Sequence, residues 1–418
     1  MRRRQFLGSL GALVGGAMLA RPARAGVGTD PGAATRKFLF VGAQGGWDPT
    51  RVFQPVFDLA GADLEAGAEP GNAHGLPYVA HPGRPSVSAF FDTWAPRSVI
   101  LNGVLVPSIA HDICRMLILT GSVSGLRPDW PAIIGSEGGA RILPHVVLAG
   151  PSFPGDRGTA VARTGSFGQL ESLLSGTALA TSDLPTRAPV APAESVLDRW
   201  VGRRTAAWAA GARSPGAAQL GADLEASLER ATALKELKWI VDFSGGADLA
   251  SQAAVAVDVL ARGVSRCVSL DSGGSALAWD THAENDPIQG PLFEDLFYGL
   301  NQLMQMLALT PGEAAPTLLE ETTVVVYSEM GRTAQLNSAD GKDHWPYTSV
   351  LLVGAGVSGG RVVGGLDSNF YGRPVDPVSG DLAAGGVVPD VEGLGATLLT
   401  LAGVDPAEFV AAEAIGGV

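Results

Sequence analysis

The stretch Thr322–Trp345, TTVVVYSEMGRTAQLNSADGKDHW, constrains this chain more than any other. It opens with an unbroken β-branched run, Thr323–Val326, of the kind that fills a strand buried on both faces. The run stops at Ser328-Glu329-Met330-Gly331-Arg332-Thr333, which sets an acid and a base at the strand's carboxyl end. In open α/β sheets that edge is where ligands bind. A polar loop with Gly and Asn follows, delivers Asp343-His344-Trp345, and gives way to a second apolar run, Val350–Val353. Strand, charged tip, acid–histidine pair, strand is the order in which a site is assembled.

The same grammar recurs along the chain. Arg36–Val41 reads as a first strand that ends in Gly42-Ala43-Gln44-Gly45-Gly46-Trp47-Asp48. Its glycines allow backbone to come close to a ligand, and Asp48 is the first acid past the tip. Residues 58–85, rich in Gly, Ala and Pro, read as a surface excursion. Ser98–Leu101 is a strand, and Pro107-Ser108-Ile109-Ala110-His111-Asp112 leads into an apolar-periodic helix over Ile113–Leu119. His111 and Asp112 therefore lie near the helix's positive end, which favours anions. His145–Leu148 and Val264–Leu270 are further strands, Arg361–Val363 a short one. Helices are expected over 248–261, 291–309 and 391–402. Between 151 and about 255 a turn-rich run passes into leucines at four-residue spacing (Leu220, Leu224, Leu228), the pattern of a helical insertion. Strands alternating with helices predict an α/β fold, a mainly parallel sheet sandwiched by helices.

Charge and termini narrow the function. A formal charge of −13 argues against nucleic acid, which needs a basic footprint. Arg2-Arg3-Arg4-Gln5-Phe6-Leu7, the apolar segment to Ala20 and the small-residue site Ala23-Arg24-Ala25 form a twin-arginine signal over residues 1–25. The partner implied is the twin-arginine export machinery, and the location periplasmic or secreted. Residues 26–418 then form the α/β domain, with no other segment apolar enough to span a membrane. Cys114 and Cys267 are the only cysteines; an oxidising compartment permits a bridge, but two isolated cysteines read better as buried small hydrophobes.

Three of six histidines sit beside an acid: His111-Asp112, Asp280-Thr281-His282 and Asp343-His344. With Asp48 and Glu329 at strand ends, one carboxyl edge gathers carboxylates and imidazoles suited to a divalent metal. Zinc, manganese or iron would fit, or calcium or magnesium if carboxylates dominate. The expected metal ligands are Asp48, Asp280, His282, Glu329, Asp343 and His344, with His111, Asp112 and Arg332 as catalytic candidates.

These residues carry a family resemblance. Gly45-Gly46-Trp47-Asp48, Ser108–Gly121, WDTH at 279–282, SEMGRT at 328–333, and KDHW followed by GAGVSGGRVVG resemble the exported bacterial family labelled domain of unknown function 1501. That family is itself similar to the alkaline phosphatase and sulfatase superfamily. Arg115–Gly121, RMLILTG, resembles that superfamily's arginine-to-LLTG helix, which implies that His111 stands at its nucleophile position. Cys114 lacks the CxPxR context of a formylglycine sulfatase, and Ser328-Glu329-Met330 replaces the superfamily's Ser-Asp-His. The resemblance implies a metal-dependent hydrolase of a small anionic phosphate or sulfate ester or of a polysaccharide. His111 would be nucleophile, ligand or base, and Arg332 would hold the anion. The alternative is a catalytically inactive fold kept as a periplasmic binding or assembly module.

Overall fold

The structure, a computed structural model, describes residues 32–164, 191–237, 241–243, 246–273 and 277–418. The expected signal, residues 1–25, and the turn-rich run 165–190 lie outside the described residues. Eight strands make the main sheet, in the order β12-β4-β11-β8-β1-β7-β5-β6. They are β1 (Lys37–Gly42), β4 (Ser98–Leu105), β5 (His145–Val147), β6 (Val161–Arg163), β7 (Cys267–Asp271), β8 (Thr322–Tyr327), β11 (Tyr347–Gly354) and β12 (Arg361–Gly364). All pairings are parallel except those of β11, which runs against both β4 and β8. The residues that lead into β11 arrive at the same edge where β1, β4, β7 and β8 end.

Side chains alternate across the sheet, so each central strand feeds two cores. On β1, Leu39 and Val41 enter one cluster and Phe38 and Phe40 the other. The first face is covered by α1 (Pro85–Trp94), α6 (Leu249–Ala261) and α7 (Asn285–Leu309), through Phe90, Phe91, Val259, Phe293 and Phe297. The second is covered by α2 (His111–Thr120), α3 (Trp130–Glu137) and α8 (Val391–Leu401), through Leu117, Trp130, Ile134 and Leu398. The mainly parallel sandwich expected from the sequence is therefore present. Cys114 and Cys267 both belong to the second core and are free thiols.

Differences from the sequence reading have local causes. The stretch read as an excursion contains a hairpin, β2 (Glu69–Ala73) with β3 (Leu76–Ala80), whose turn is made by His74 and Gly75 at positive φ. Helix α1 begins just after it with Pro85 in its first turn, where a missing N–H costs nothing. Helix α7 starts at Asn285 rather than Pro291. Two further helices, α4 (Ala191–Ala210) and α5 (Pro215–Leu237), pack on each other in the expected insertion. α6, by contrast, belongs to the sandwich. Among the described residues no helix is long and apolar enough to cross a membrane.

Candidate metal centre

Four loops meet at the carboxyl edge of the sheet. The loop after β1 carries Gly45, Gly46 and Asp48. His111 is the first residue of α2, after β4. Asp280 and His282 follow β7. Glu329 follows β8, and His344 lies on the two-residue strand β10 (His344–Trp345), paired antiparallel with β9 (Gly331–Arg332). Two glycines make this meeting possible. Gly45 has φ +119°, and a Cβ there would stand 2.5 Å from the Asp280 nitrogen. A Cβ on Gly341 would run into the His282 carbonyl. Gly45, anticipated to admit a ligand, instead admits the chain itself. Around Gly341 the two loops are stitched together: Lys342 N donates to Thr281 O (3.0 Å), Asn337 Nδ2 to His282 O (3.0 Å) and Asn285 N to Asp340 O (2.9 Å).

At the centre, His111, Asp280 and His344 each offer one atom within 4.8 Å of the others. His344 Nε2 lies 3.2 Å from Asp280 Oδ1, and His111 Nε2 3.3 Å from Oδ2. His282 joins them, its Nε2 2.9 Å from His344 Nε2 and 3.3 Å from Asp280 Oδ1. The other nitrogen of every ring is committed. His111 Nδ1 meets Glu329 Oε1 (2.9 Å), His282 Nδ1 meets Asp343 Oδ1 (3.0 Å) and His344 Nδ1 meets the Ile109 carbonyl (2.7 Å). Carboxylates and a carbonyl only accept, so each Nδ1 carries a proton, and each inward Nε2 is a lone pair when its ring is neutral and a donor when the ring is charged. His111 Nε2 is buried and makes no hydrogen bond.

Asp280 anchors the cluster. Burial would raise its pKa, but hydrogen bonds from Arg332 and His344 and the charges of Arg332 and His111 outweigh it and hold the carboxyl at about 2. Arg332 has almost no exposure. Its Nη2 donates to Asp280 Oδ1 (2.6 Å), to the Trp279 carbonyl (3.2 Å) and to the Gly45 carbonyl. Nε donates to Gly46 O and Nη1 to Lys342 O. The arginine expected to grip an anionic substrate is instead spent on Asp280 and four backbone carbonyls.

The remaining candidates fall into two groups. Glu329 and Asp343 stand behind His111 and His282 rather than beside them. Glu329 is buried and takes Gly45 N on both oxygens (2.8 and 3.1 Å), whereas the exposed Asp343 is held below the usual carboxylate range, chiefly by the His282 hydrogen bond. Asp48 and Asp112 are not brought to the cluster. Asp48 is fully buried and bonded to Thr50, Asn285 and Lys342, whose Nζ is 2.7 Å away. Burial opposes its ionisation, but the Lys342 and Arg51 charges win and its pKa falls to about 2. The Asp112 side chain is 92% exposed, next to Arg115 at 3.8 Å. Sequence reading missed Lys342 and the Ile109 carbonyl. Lys342 sits inside the KDHW motif and carried a signal; a backbone carbonyl carries none.

A family model described as protein of unknown function (DUF1501) matches residues 99–414. The chain belongs to that family. No curated protein matches it. Among solved structures it is similar to the lipoteichoic acid synthase LtaP from Listeria monocytogenes, at 11% identity and a TM-score of 0.40, over 94% of this chain and 78% of that one. It is also similar to a protein in the alkaline phosphatase superfamily from Vibrio parahaemolyticus, at 10% identity and a TM-score of 0.38, over 97% and 76%. A third likeness is to the C-terminal periplasmic domain of EcEptC from Escherichia coli, in complex with Zn, at 9% identity and a TM-score of 0.35, over 78% and 75%.

Proposed function

We propose that this family member is an exported hydrolase whose centre holds a divalent metal ion on His111, Asp280, His282 and His344. The observation that carries the reading is the orientation of the three rings. Each Nδ1–H is fixed by an acceptor, the arrangement that metal-ligating histidines adopt. Each Nε2 then faces Asp280 or another Nε2, acceptor against acceptor, which needs a cation or a proton between them. Three imidazoles and one carboxylate suit zinc or manganese better than calcium or magnesium, which prefer oxygen ligands throughout. A metal so held supplies a Lewis acid and a water acidified toward neutral pH. His282, half exposed, marks the side open to solvent and substrate.

The substrate class implied by the sequence resemblance is a phosphate or sulfate ester. The chain's own contribution is positional. Glu329 and Asp343 orient two ligands, Arg332 holds Asp280 ionised, and the amino end of α2 adds a positive field beside His111. With Nδ1 held by Glu329 and Nε2 turned toward Asp280 and the other rings, His111 serves as a ligand rather than a nucleophile. Metal content of the purified protein, followed by a screen of phosphate and sulfate esters with zinc or manganese, tests the reading. Less than about a tenth of an equivalent of metal after loading would sink it. Export is tested separately: replacing Arg3 and Arg4 by Lys should retain the protein in the cytoplasm.

A metal-holding binding module is the second reading. It is favoured by one observation: among the described residues no hydroxyl or thiol is hydrogen-bonded to the four converging side chains. Full metal occupancy with no turnover of any ester would select it.

A further inference from the structure

The most deeply buried charge pair beside the centre is one that the proposed chemistry does not use. Asp48 follows β1, the strand between β7 and β8 near the middle of the sheet, at the edge where the histidines gather. Its carboxylate and the Lys342 ammonium are both 0% exposed and 2.7 Å apart. Lys342 Nζ also lies 3.3 Å from Thr50 Oγ1. Around Asp48 stand Thr50 N and Oγ1, Asn285 Nδ2 (3.2 Å) and Arg51 Nε (3.5 Å). The backbone of Lys342 is tied to the centre: its N–H donates to Thr281 O, between Asp280 and His282, and its carbonyl accepts from Arg332. A buried carboxylate at such a strand tip needs a positive partner, because an unpaired buried charge is strongly destabilising. Here the partner is covalently part of the chain. An ammonium 2.7 Å from the carboxylate occupies the position an ion would take, and repels any that approached.

We propose that Lys342 is a resident cation that fills, at Asp48, the place of a second metal ion, so that the protein takes up a single divalent ion at its histidine cluster. This rests on the metal reading given above. Removing the ammonium while keeping Asp48 opens a site formed by the Asp48 carboxylate, Thr50 Oγ1 and the space vacated by the lysine stem, with Arg51 and Asn285 Nδ2 on the carboxylate's other side. Such a site suits a hard ion, and manganese accepts both nitrogen and oxygen donors, so manganese can report on the two positions together.

The test compares manganese stoichiometry in the full chain, its Lys342→Ser variant and the Lys342→Ser/Asp48→Asn double variant, by metal analysis and titration calorimetry. The wild type is expected to hold about one equivalent, Lys342→Ser about one more, and the double variant to return to the wild-type value. If Lys342→Ser unfolds without metal, manganese should restore it, because the ion replaces the lost positive charge. Failure to fold even with manganese would count against the proposal. So would a folded Lys342→Ser chain with no added equivalent, or a wild type that already holds two. A wild type with no metal would instead overturn the histidine centre. The role of Lys342 would still be decided by whether the variant gains one equivalent over it.

Discussion

At the scale of single residues, the centre separates ligands from the groups that aim them, and substitution should tell the two apart. His344 is 18% exposed and its ring packs against His111 and His282 rather than in a core. His344→Ala is therefore expected to lower metal affinity by well over tenfold and leave the metal-free fold close to wild type, read by metal titration and thermal unfolding in chelator. Unaltered metal content in a destabilised variant would refute the ligand assignment. Glu329 acts one layer back. Glu329→Gln keeps the shape and the hydrogen-bonding oxygen but removes the charge that makes His111 a better donor. The expected loss is about 10- to 100-fold in metal affinity. An affinity equal to wild type would show that His111 needs no such partner. Arg332 shows why a residue's role is hard to read from its type: its donors were free on paper, but the Gly45, Gly46 and Trp279 carbonyls that claim them come from loops distant in sequence.

At the scale of elements, the site is a seam between two loops, 280–285 and 337–343, rather than the tip of one strand. Glu284 and Asp340 adopt left-handed φ of 50° and 54° there, and Gly341 lies against the His282 carbonyl. Gly341→Ala should force the loops apart and separate His282 from His344. The expected result is a weakened metal affinity and faster amide exchange confined to both loops, a local opening made easier by about 1–3 kcal/mol. A uniform loss of protection across the sheet would show that the seam is part of the core instead. The strands on either side were legible because Thr323–Val326 and Val350–Val353 are continuous β-branched or apolar runs. The convergence of Asp280, His282 and His344 was legible too, as acid–histidine pairs after strands. Helix α1 and the β2–β3 hairpin were hidden, since Gly, Pro and Ala signal turns whether or not a short element lies between them. The fate of Asp48 was hidden for a different reason. An acid past a strand tip looks the same whether a metal or a lysine from a distant loop neutralises it.

At the scale of the whole molecule, one buried histidine outside the centre should set how stability depends on pH. His145 on β5 is 0% exposed; its Nε2 meets Ser269 Oγ on β7 at 2.8 Å, and its Nδ1 has no partner. Burial pulls its pKa down from 6.5 to about 4, with Asp129 opposing and Arg163 adding to the shift. In the unfolded chain the ring regains its ordinary value, so between about pH 6.5 and 4 the unfolded state binds the extra proton. Stability from this residue is complete above about pH 6.5 and is lost as pH falls toward 4, by about 3 kcal/mol in all. His145→Gln removes the titration while leaving an amide to pair with Ser269. The variant should be the less stable protein at pH 7, and the gap between the two should narrow by about that amount as pH drops to 4. Unfolding in urea at each pH, in chelator so that metal release does not contribute, measures the gap. The acid limb from Asp48, whose pKa of about 2 places its loss at lower pH, is common to both chains and cancels. A gap independent of pH would mean that His145 is not held neutral in the fold.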